Sequence, residues 1–236
     1  MTRICTICAR GGSKGVKGKN VRLIGGLPLI AHSLVQARQS ELFDTIAVSS
    51  DSDEILRIAA EHGADHVIKR PDALATDAAA KLPVIRHCVD EVERRTRQSF
   101  DTMVDLDATS PLRNILDIGG VLKLLDSSGA GNVITAMPSR RSPYFNLVEV
   151  DALGIVRLSK PGATFVRRQD APACFDMNAS IYAWRRTAFF ERSSLFNDDT
   201  RLFVMPEERS IDIDSELDFQ FVEFLMTQTA GDKHHE

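Results

Sequence analysis

The sequence predicts an α/β fold built on a mostly parallel sheet. Two observations carry this expectation. From Ile4 to Met137, strand-sized apolar runs alternate with segments of helical apolar spacing, the order that right-handed βαβ crossovers produce. The composition, 43% hydrophobic and 26% charged over 236 residues, is that of a globular chain with a sizeable core. In such sheets ligands bind beyond the carboxyl ends of the strands. That rule singles out three loops, at residues 10–20, 49–53 and 105–113.

Each element has a local reason. Residues 4–9 read as a buried strand, apolar throughout except for Thr6. A glycine-rich loop follows to Asn20. Residues 29–39 are helical, with Leu29, Ile30, Leu34 and Ala37 on one side. Residues 45–49 form a strand and 53–62 a helix, for which Asp51, Ser52 and Asp53 offer capping oxygens and Gly63 a stop. A short strand at 66–68 precedes a helix at 82–95, whose apolar face is Val84, Ile85, Cys88, Val89 and Val92. A strand at 102–106, a helix at 115–125 and a strand at 133–137 complete the alternation. After Pro138 the rhythm breaks into short extended pieces with prolines and glycines, read as a β-rich arm at about 139–175. A returning strand at 179–184, another at 202–205 and an amphipathic helix at 215–226 follow. Residues 230–236 read as a frayed tail. The whole of 1–236 reads as one domain carrying that arm.

A formal net charge of −4 implies no general polyanion-binding surface, so no nucleic-acid partner is expected. No apolar run approaches the roughly 20 residues of a membrane span. No basic start with an apolar stretch and cleavage site opens the chain, which predicts a cytoplasmic protein. Cys5 and Cys8 form C-x-x-C, but inside an apolar run and with no second metal-type pair, so core thiols are expected. Cys88 and Cys174 fit the same compartment. His32, His62, His66 and His87 lack partner spacing and suit packing or surface roles; His234 and His235 suit solvent. No Ser-His-Asp or Cys-His nucleophile arrangement is legible.

The loop Ala9-Arg10-Gly11-Gly12-Ser13-Lys14-Gly15-Val16-Lys17-Gly18-Lys19-Asn20 holds four glycines and four cations. Glycines let backbone amides approach an anion closely. Arg10, Lys14 and Lys19 could neutralise a polyphosphate, the arginine as a fork and the lysines as point charges. Neither the Walker A pattern nor the G-x-G-x-x-G fingerprint occurs in it, which argues against a P-loop ATPase and an ordinary dehydrogenase.

Two carboxylate pairs accompany this loop. Asp105 and Asp107 end a strand and share a face by alternation; so do Asp212 and Asp214 in an extended segment. Paired carboxylates beside a phosphate loop suggest Mg²⁺, which takes oxygen ligands and bridges substrate phosphates. Asp214 could instead cap the last helix, unless Ser215 does so. Arg167 and Arg168 are adjacent in an extended segment and point different ways, one available to a substrate anion and the other to structure.

Taken together, residues 9–15 with Lys19-Asn20, Ser49-Ser50-Asp51, Arg70-Pro71, Thr109-Ser110-Pro111-Leu112-Arg113, Arg168-Gln169, Asn178 to Tyr182 and Ser210-Ile211-Asp212-Ile213-Asp214 resemble the signatures of the acylneuraminate cytidylyltransferase family, the CMP-sialic acid synthetases. The matches fall in the family's order and cover nearly the whole chain. The resemblance implies a Rossmann-like nucleotide-diphospho-sugar transferase fold with helices on both faces of the sheet, and a homodimer whose arms reach the partner's site. It implies transfer of CMP from CTP to a nonulosonic acid with Mg²⁺ and release of pyrophosphate. By position, Arg10, Ser13, Lys14, Lys19 and Asn20 look like the CTP loop and Arg70 like a base-side contact. Lys81, Asp107 and Asn178 join the substrate-binding set. Arg168 resembles the catalytic or carboxylate-binding arginine. Asp212 and Asp214 resemble the metal aspartates, with Asp214, like Arg10, also in the catalytic set.

The sequence departs from the sialic acid enzymes at Asp107, where they usually have Gln, and around Ala79 and Lys81, where they have small hydroxyl residues. It departs again at Asp176, where bacterial ones often have a second arginine. Residues 4–10, 105–107, 146–149 and 176–182 look more like the legionaminic acid branch, which activates 5,7-diamino nonulosonates for surface or flagellar glycans. Sialic, pseudaminic and Kdo acids are the alternative substrates, and a catalytically idle nucleotide-binding protein is the alternative class.

Overall fold

The computed structural model describes residues 1–12, 15–76, 78–161, 165 and 167–231. Its strands and helices run β1 (Arg3–Cys8), β2 (Leu23–Ile24), β3 (Leu27–Pro28), α1 (Leu29–Ser40), β4 (Thr45–Ser50), α2 (Asp53–Glu61), β5 (His66–Lys69), α3 (Lys81–Thr96), β6 (Thr102–Leu106), α4 (Ile115–Ser128), β7 (Asn132–Pro138), β8 (Val148–Val150), β9 (Val156–Leu158), β10 (Phe175–Arg185), α5 (Arg186–Glu191), β11 (Arg201–Val204) and α6 (Glu216–Gly231). The main sheet has seven strands in the order β11-β7-β10-β6-β1-β4-β5. All its pairings are parallel except the two that β10 makes, antiparallel to β6 and to β7.

Alternation in β1 explains the layering. Cys5 and Ile7 face the cluster that holds Ile30, Leu34 and Ala37 of α1, Ile55 and Ile58 of α2, and Ile118 to Leu125 of α4. Ile4 faces the opposite cluster, with Leu82 to Val92 of α3 and Phe189 of α5. A strand buried on both faces is expected to be apolar on both, and from Ile4 on this one is but for Thr6, whose hydroxyl donates to Asp105. A third cluster, with Val16, Ile24, Leu29, Ile213 and Phe219, packs α6 beside the glycine-rich loop.

Of the helix caps, that of α2 was expected and that of α4 was not. Ser52 accepts from the Ile55 amide and starts α2. Asn114 and Asp117 make a capping box at α4. The β2–β3 hairpin and α5 were not expected, and the returning strand is longer than the expected 179–184, starting at Phe175. The last helix runs on to Gly231, past the expected start of a tail at 230; His234 and His235 lie outside the described residues.

Within the arm, Val148–Val150 pairs with Val156–Leu158 as a small hairpin of its own. Where β10 leaves the arm it carries a bulge: its register against β7 shifts between Met177 and Tyr182, and Ala179 takes a left-handed φ of 53°. That backbone region is uncommon for a residue with a Cβ, and it turns the strand locally.

Candidate active site

Two adjoining cavities open at the carboxyl ends of β1 and β6. The first, of about 400 Å³, is lined by Arg10, Gly15, Lys19 and Asn20 from the glycine-rich loop and by Asp107, Thr109, Asp212 and Asp214. The second, of about 310 Å³, is lined by Arg70, Thr76, Ala79 and Lys81. Cys8, Arg10 and Asp107 line both. All three loops marked by the strand-end rule therefore contribute, the middle one as support.

The loop is held by its ends. Ala9 N–H donates to Ser49 O at 3.0 Å, and Gly11 N–H donates to Asp51 Oδ1 at 2.8 Å. The Asn20 amide donates to Arg10 O at 3.0 Å. Gly18, at φ 63°, permits the left-handed turn into the short 3₁₀ helix Lys19–Val21. Gly15 is pressed against the acidic segment: a Cβ there would stand 1.9 Å from Asp214 O. Lys19 Nζ reaches the same segment, donating to Ile213 O and pairing with Asp214 Oδ1 at 3.3 Å. Ser13 and Lys14, expected in the loop, lie outside the described residues.

The acidic segment resolves the choice posed by Asp214. Ser215 and Asp218 form the cap of α6: Asp218 N–H donates to Ser215 Oγ at 3.2 Å, and Ser215 N–H donates to Asp218 Oδ2 at 2.7 Å. Asp214 is left exposed on the cavity wall. Asp212 is more enclosed. Its Oδ1 is buried without a hydrogen-bond partner. Burial, reinforced by Asp107 and Asp214, pushes its carboxyl up to about 6. An orphaned carboxylate oxygen with a second carboxylate nearby suits a hard divalent cation, as Mg²⁺ is often held by one or two carboxylates with substrate oxygens and water completing it. No group of three or more His, Cys, Asp or Glu that could hold a metal occurs among the described residues.

The other pair is different. Asp105 is fully buried; its Oδ1 accepts from Thr6 Oγ1 at 2.8 Å. Lys81 Nζ lies 3.2 Å from Asp105 Oδ2 and 2.6 Å from Asp107 Oδ2. The metal alternative for Asp105 and Asp107 is thus corrected: alternation does put both on one face, but the cation between them is the chain's own ammonium. Asp107 Oδ1 accepts from the Thr109 amide at 3.1 Å and hydroxyl at 2.8 Å. Burial alone would raise the Asp107 carboxyl, but Lys81 and Thr109 outweigh it and hold it at about 2. Burial raises Asp105. Lys81, expected to bind substrate, lines the second cavity but donates to Asp107, pairs with Asp105 and sits 4.6 Å from the centre of the Tyr182 ring.

Other expected residues divide. Arg70 is buried yet lines the second cavity, with its guanidinium donating to Ser49 O at 2.8 Å. Asn178 corrects its expected place. It is buried, accepts from Thr135 Oγ1 at 2.7 Å and donates to Ser210 Oγ at 2.9 Å, and so braces the Asp212 segment from behind. Arg167 is the structural member of its pair, forked on Asp170 at 3.0 and 3.2 Å. Arg168 opens the 3₁₀ turn Arg168–Asp170, its side chain outside the described part. The core-thiol expectation fits Cys5 and Cys88, which are buried; Cys8 instead reaches the wall of both cavities.

One residue had no role assigned from sequence. Arg113 is buried and donates to Ser180 O at 2.8 Å, to Asp107 O at 2.6 Å and to Ser33 Oγ. It clamps the backbone that carries Asp107. Burial brings its guanidinium down to about 10. The signal was present as an arginine ending Thr-Ser-Pro-Leu directly after a buried strand, but its targets lie 67 and 80 residues away.

Comparison with known proteins agrees with this geometry. A family model described as cytidylyltransferase matches residues 4–220. The chain is 50% identical to CMP-N,N'-diacetyllegionaminic acid synthase of Campylobacter jejuni, over 95% of this chain and 94% of that one. It is 48% identical to post-translational flagellin modification protein B of Campylobacter coli, over 95% of both. Among solved structures, a CMP:2-keto-3-deoxy-manno-octonic acid synthetase complexed with CTP is similar in fold, with a TM-score of 0.71 at 18% identity, covering 97% of this chain and all of that one. On the family match and on relatives aligned along almost their full length, the chain belongs to the cytidylyltransferase family and is an enzyme of nucleotidyl transfer.

Proposed function

We propose that the enzyme transfers CMP from CTP to the anomeric hydroxyl of a nonulosonic acid, N,N'-diacetyllegionaminic acid, and releases pyrophosphate, for bacterial surface glycan synthesis. The observation that carries the transfer is one cavity lined on one side by a cationic glycine-rich loop and on the other by two carboxylates. The likeness to an enzyme named for legionaminic acid, at 50% identity, supports the sugar.

In this reading the triphosphate lies along the loop. Arg10 and Lys19 offset its charge, and Asn20 fixes the loop through Arg10 O. Ser13 and Lys14 join by sequence. Arg70 faces the base from the second cavity. Asp107, on the wall common to both cavities, accepts hydrogen bonds from the sugar, and Arg168 takes its carboxylate. The anomeric oxygen attacks the α-phosphorus and the bond to pyrophosphate breaks. Such transfer is mainly positioning and electrostatic stabilisation. Asp212 and Asp214 would hold Mg²⁺, which when bound supplies charge neutralisation for the triphosphate and polarises its oxygens.

The arm supports a homodimer. Its hairpin exposes Val148, Val150, Leu153, Ile155 and Val156, an apolar set that costs free energy in water and is covered when a second copy docks. No helix among the described residues is long and apolar enough to cross a membrane. CTP is an intracellular nucleotide, and the reading places the enzyme in the cytoplasm. The test is pyrophosphate release from CTP and Mg²⁺ with a panel of acid sugars: legionaminic, sialic, pseudaminic and Kdo. Fastest turnover of the diacetyl legionaminic acid is expected. Faster use of another acid sugar replaces the substrate, and release with none of them overturns the transfer.

A further inference from the structure

The second cavity contains a charge arrangement that the reaction as described leaves unused. Lys81 begins α3, and its ammonium sits against Asp105, Asp107 and the face of Tyr182. Tyr182 is itself fixed, buried and stacked on Trp184 with ring centres 5.7 Å apart. Asp105 is wholly buried and lines neither of these two cavities; it holds Lys81 from below the wall, braced by Thr6. Asp107 alone of the two carboxylates lines the cavities. A buried carboxylate with no role at the surface is expensive to retain unless its partner needs it.

We propose that Lys81 is a positioning residue for the acid sugar: anchored on Asp105 and Tyr182, it fixes the Asp107 carboxylate on the wall shared by the two cavities and acts on the substrate only through Asp107. The proposal rests on the reading that an acid sugar is the acceptor. Three features support it. The ammonium's neighbours are two carboxylates and an aromatic face, so its charge is already compensated within the protein. Asp107 is pinned on both oxygens, Oδ2 by Lys81 and Oδ1 by Thr109, which leaves one direction for its remaining lone pairs. Its backbone is pinned too, by Ser180, Ser33 and Arg113. A carboxylate fixed at this many points is an acceptor of set orientation, the kind that discriminates substrates by the N–H or O–H donors they offer.

A double-mutant cycle tests this. The variants are Lys81→Met, Asp107→Asn, the two combined, and Asp105→Asn/Lys81→Met, which removes the Asp105–Lys81 charge pair and keeps a folded control. Steady-state rates are measured for CTP and for N,N'-diacetyllegionaminic acid. Lys81→Met is expected to lower kcat/KM for the sugar about tenfold or more, with KM for CTP changed less than about threefold. Adding it to Asp107→Asn should lower sugar kcat/KM by less than a further twofold or so. The Asp105→Asn/Lys81→Met control should fold, by thermal unfolding, and still show the sugar defect. Independent, additive losses in the cycle, or a CTP defect as large as the sugar defect, would mean that Lys81 touches substrate directly and overturn the proposal. Wild-type sugar use by the folded control would overturn it as well. A wild-type enzyme that releases no pyrophosphate with any acid sugar defeats the functional reading instead, a result distinct from these.

Discussion

Gly15→Ala is the sharpest test of how the site is assembled. Gly15 carries no left-handed φ, so alanine can adopt its backbone conformation and the substitution isolates one contact. The added Cβ would stand 1.9 Å from Asp214 O and 3.1 Å from Asp214 C, both backbone atoms that cannot rotate away. Reaching even 3.0 Å, a separation real Cβ atoms essentially never undercut, takes about 1 Å of movement between the loop and residues 212–215. Those two segments carry Arg10 and Lys19 on one side and Asp212 and Asp214 on the other. A misplacement of about 1 Å in a catalytic constellation can cost roughly a hundredfold in rate. We expect kcat/KM for CTP to fall by about that factor, with thermal unfolding showing an intact fold. Gly119→Ala on α4, away from the cavity, is the control, since a Cβ there meets only Leu42 Cδ1 at 4.0 Å among the described residues. Pyrophosphate release measures both. If Gly15→Ala is as active as Gly119→Ala, the loop and the acidic segment do not work at the spacing described.

The remaining predictions concern single charges. Lys19→Ala should weaken CTP use by about tenfold to a hundredfold, the worth of a charge-assisted contact of about 1.5–3 kcal/mol; an unchanged KM and kcat for CTP removes Lys19 from the site. Asp212→Asn and Asp214→Asn should each cripple turnover at limiting Mg²⁺ while circular dichroism stays native, and full activity in both would remove the metal assignment. The Asp212 carboxyl, raised to about 6, sets a pH window. The folded state holds this proton more tightly than the unfolded chain, so Asp212 favours folding at low pH and that contribution is lost as pH rises through about 6. A cation must displace the same proton, so the Mg²⁺ requirement should steepen as pH falls below about 6, and Asp212→Asn should abolish that change. Asp107→Gln should shift the ratio of legionaminic to sialic acid use toward sialic acid; a constant ratio in competition assays would take discrimination away from Asp107.

Most of the sheet was legible because its strands are buried on both faces and read as short apolar runs. Residues 4–9 and 102–106 needed only composition and length. The start of β10 was not legible, because Phe175, Asp176 and Met177 are all exposed, so their apolar–polar alternation marks no core face. Helix α5 is six residues long, too short for periodicity to declare itself. In the site, the glycine-rich loop and the Asp212/Asp214 pair announced themselves by local composition. The internal ammonium did not: Lys81 and Asp107 are 26 residues apart, on different elements, and nothing in either segment says that they meet. Asn178 entered the substrate-binding set through the resemblance alone; its real partners, Thr135 and Ser210, lie 43 and 32 residues away, and nothing local announces them.

That bulge has a mechanical consequence. Asn178 holds Ser210, two residues before Asp212, while Ser180 accepts from the amide of Asp107 at 3.1 Å and from Arg113. Both acidic walls of the cavity therefore hang from residues on either side of Ala179, on a strand whose other end lies in the arm. Strand side chains alternate, so inserting or deleting one residue between Phe175 and Ser180 would turn one bracket outward and let one wall drift against the other. The hairpin tip at Leu153 and Gly154 bears no such load and can change in length without being felt at the cavity. The far end of the arm is thus free to vary, while the few residues where the arm enters the sheet are held to a fixed count by the chemistry.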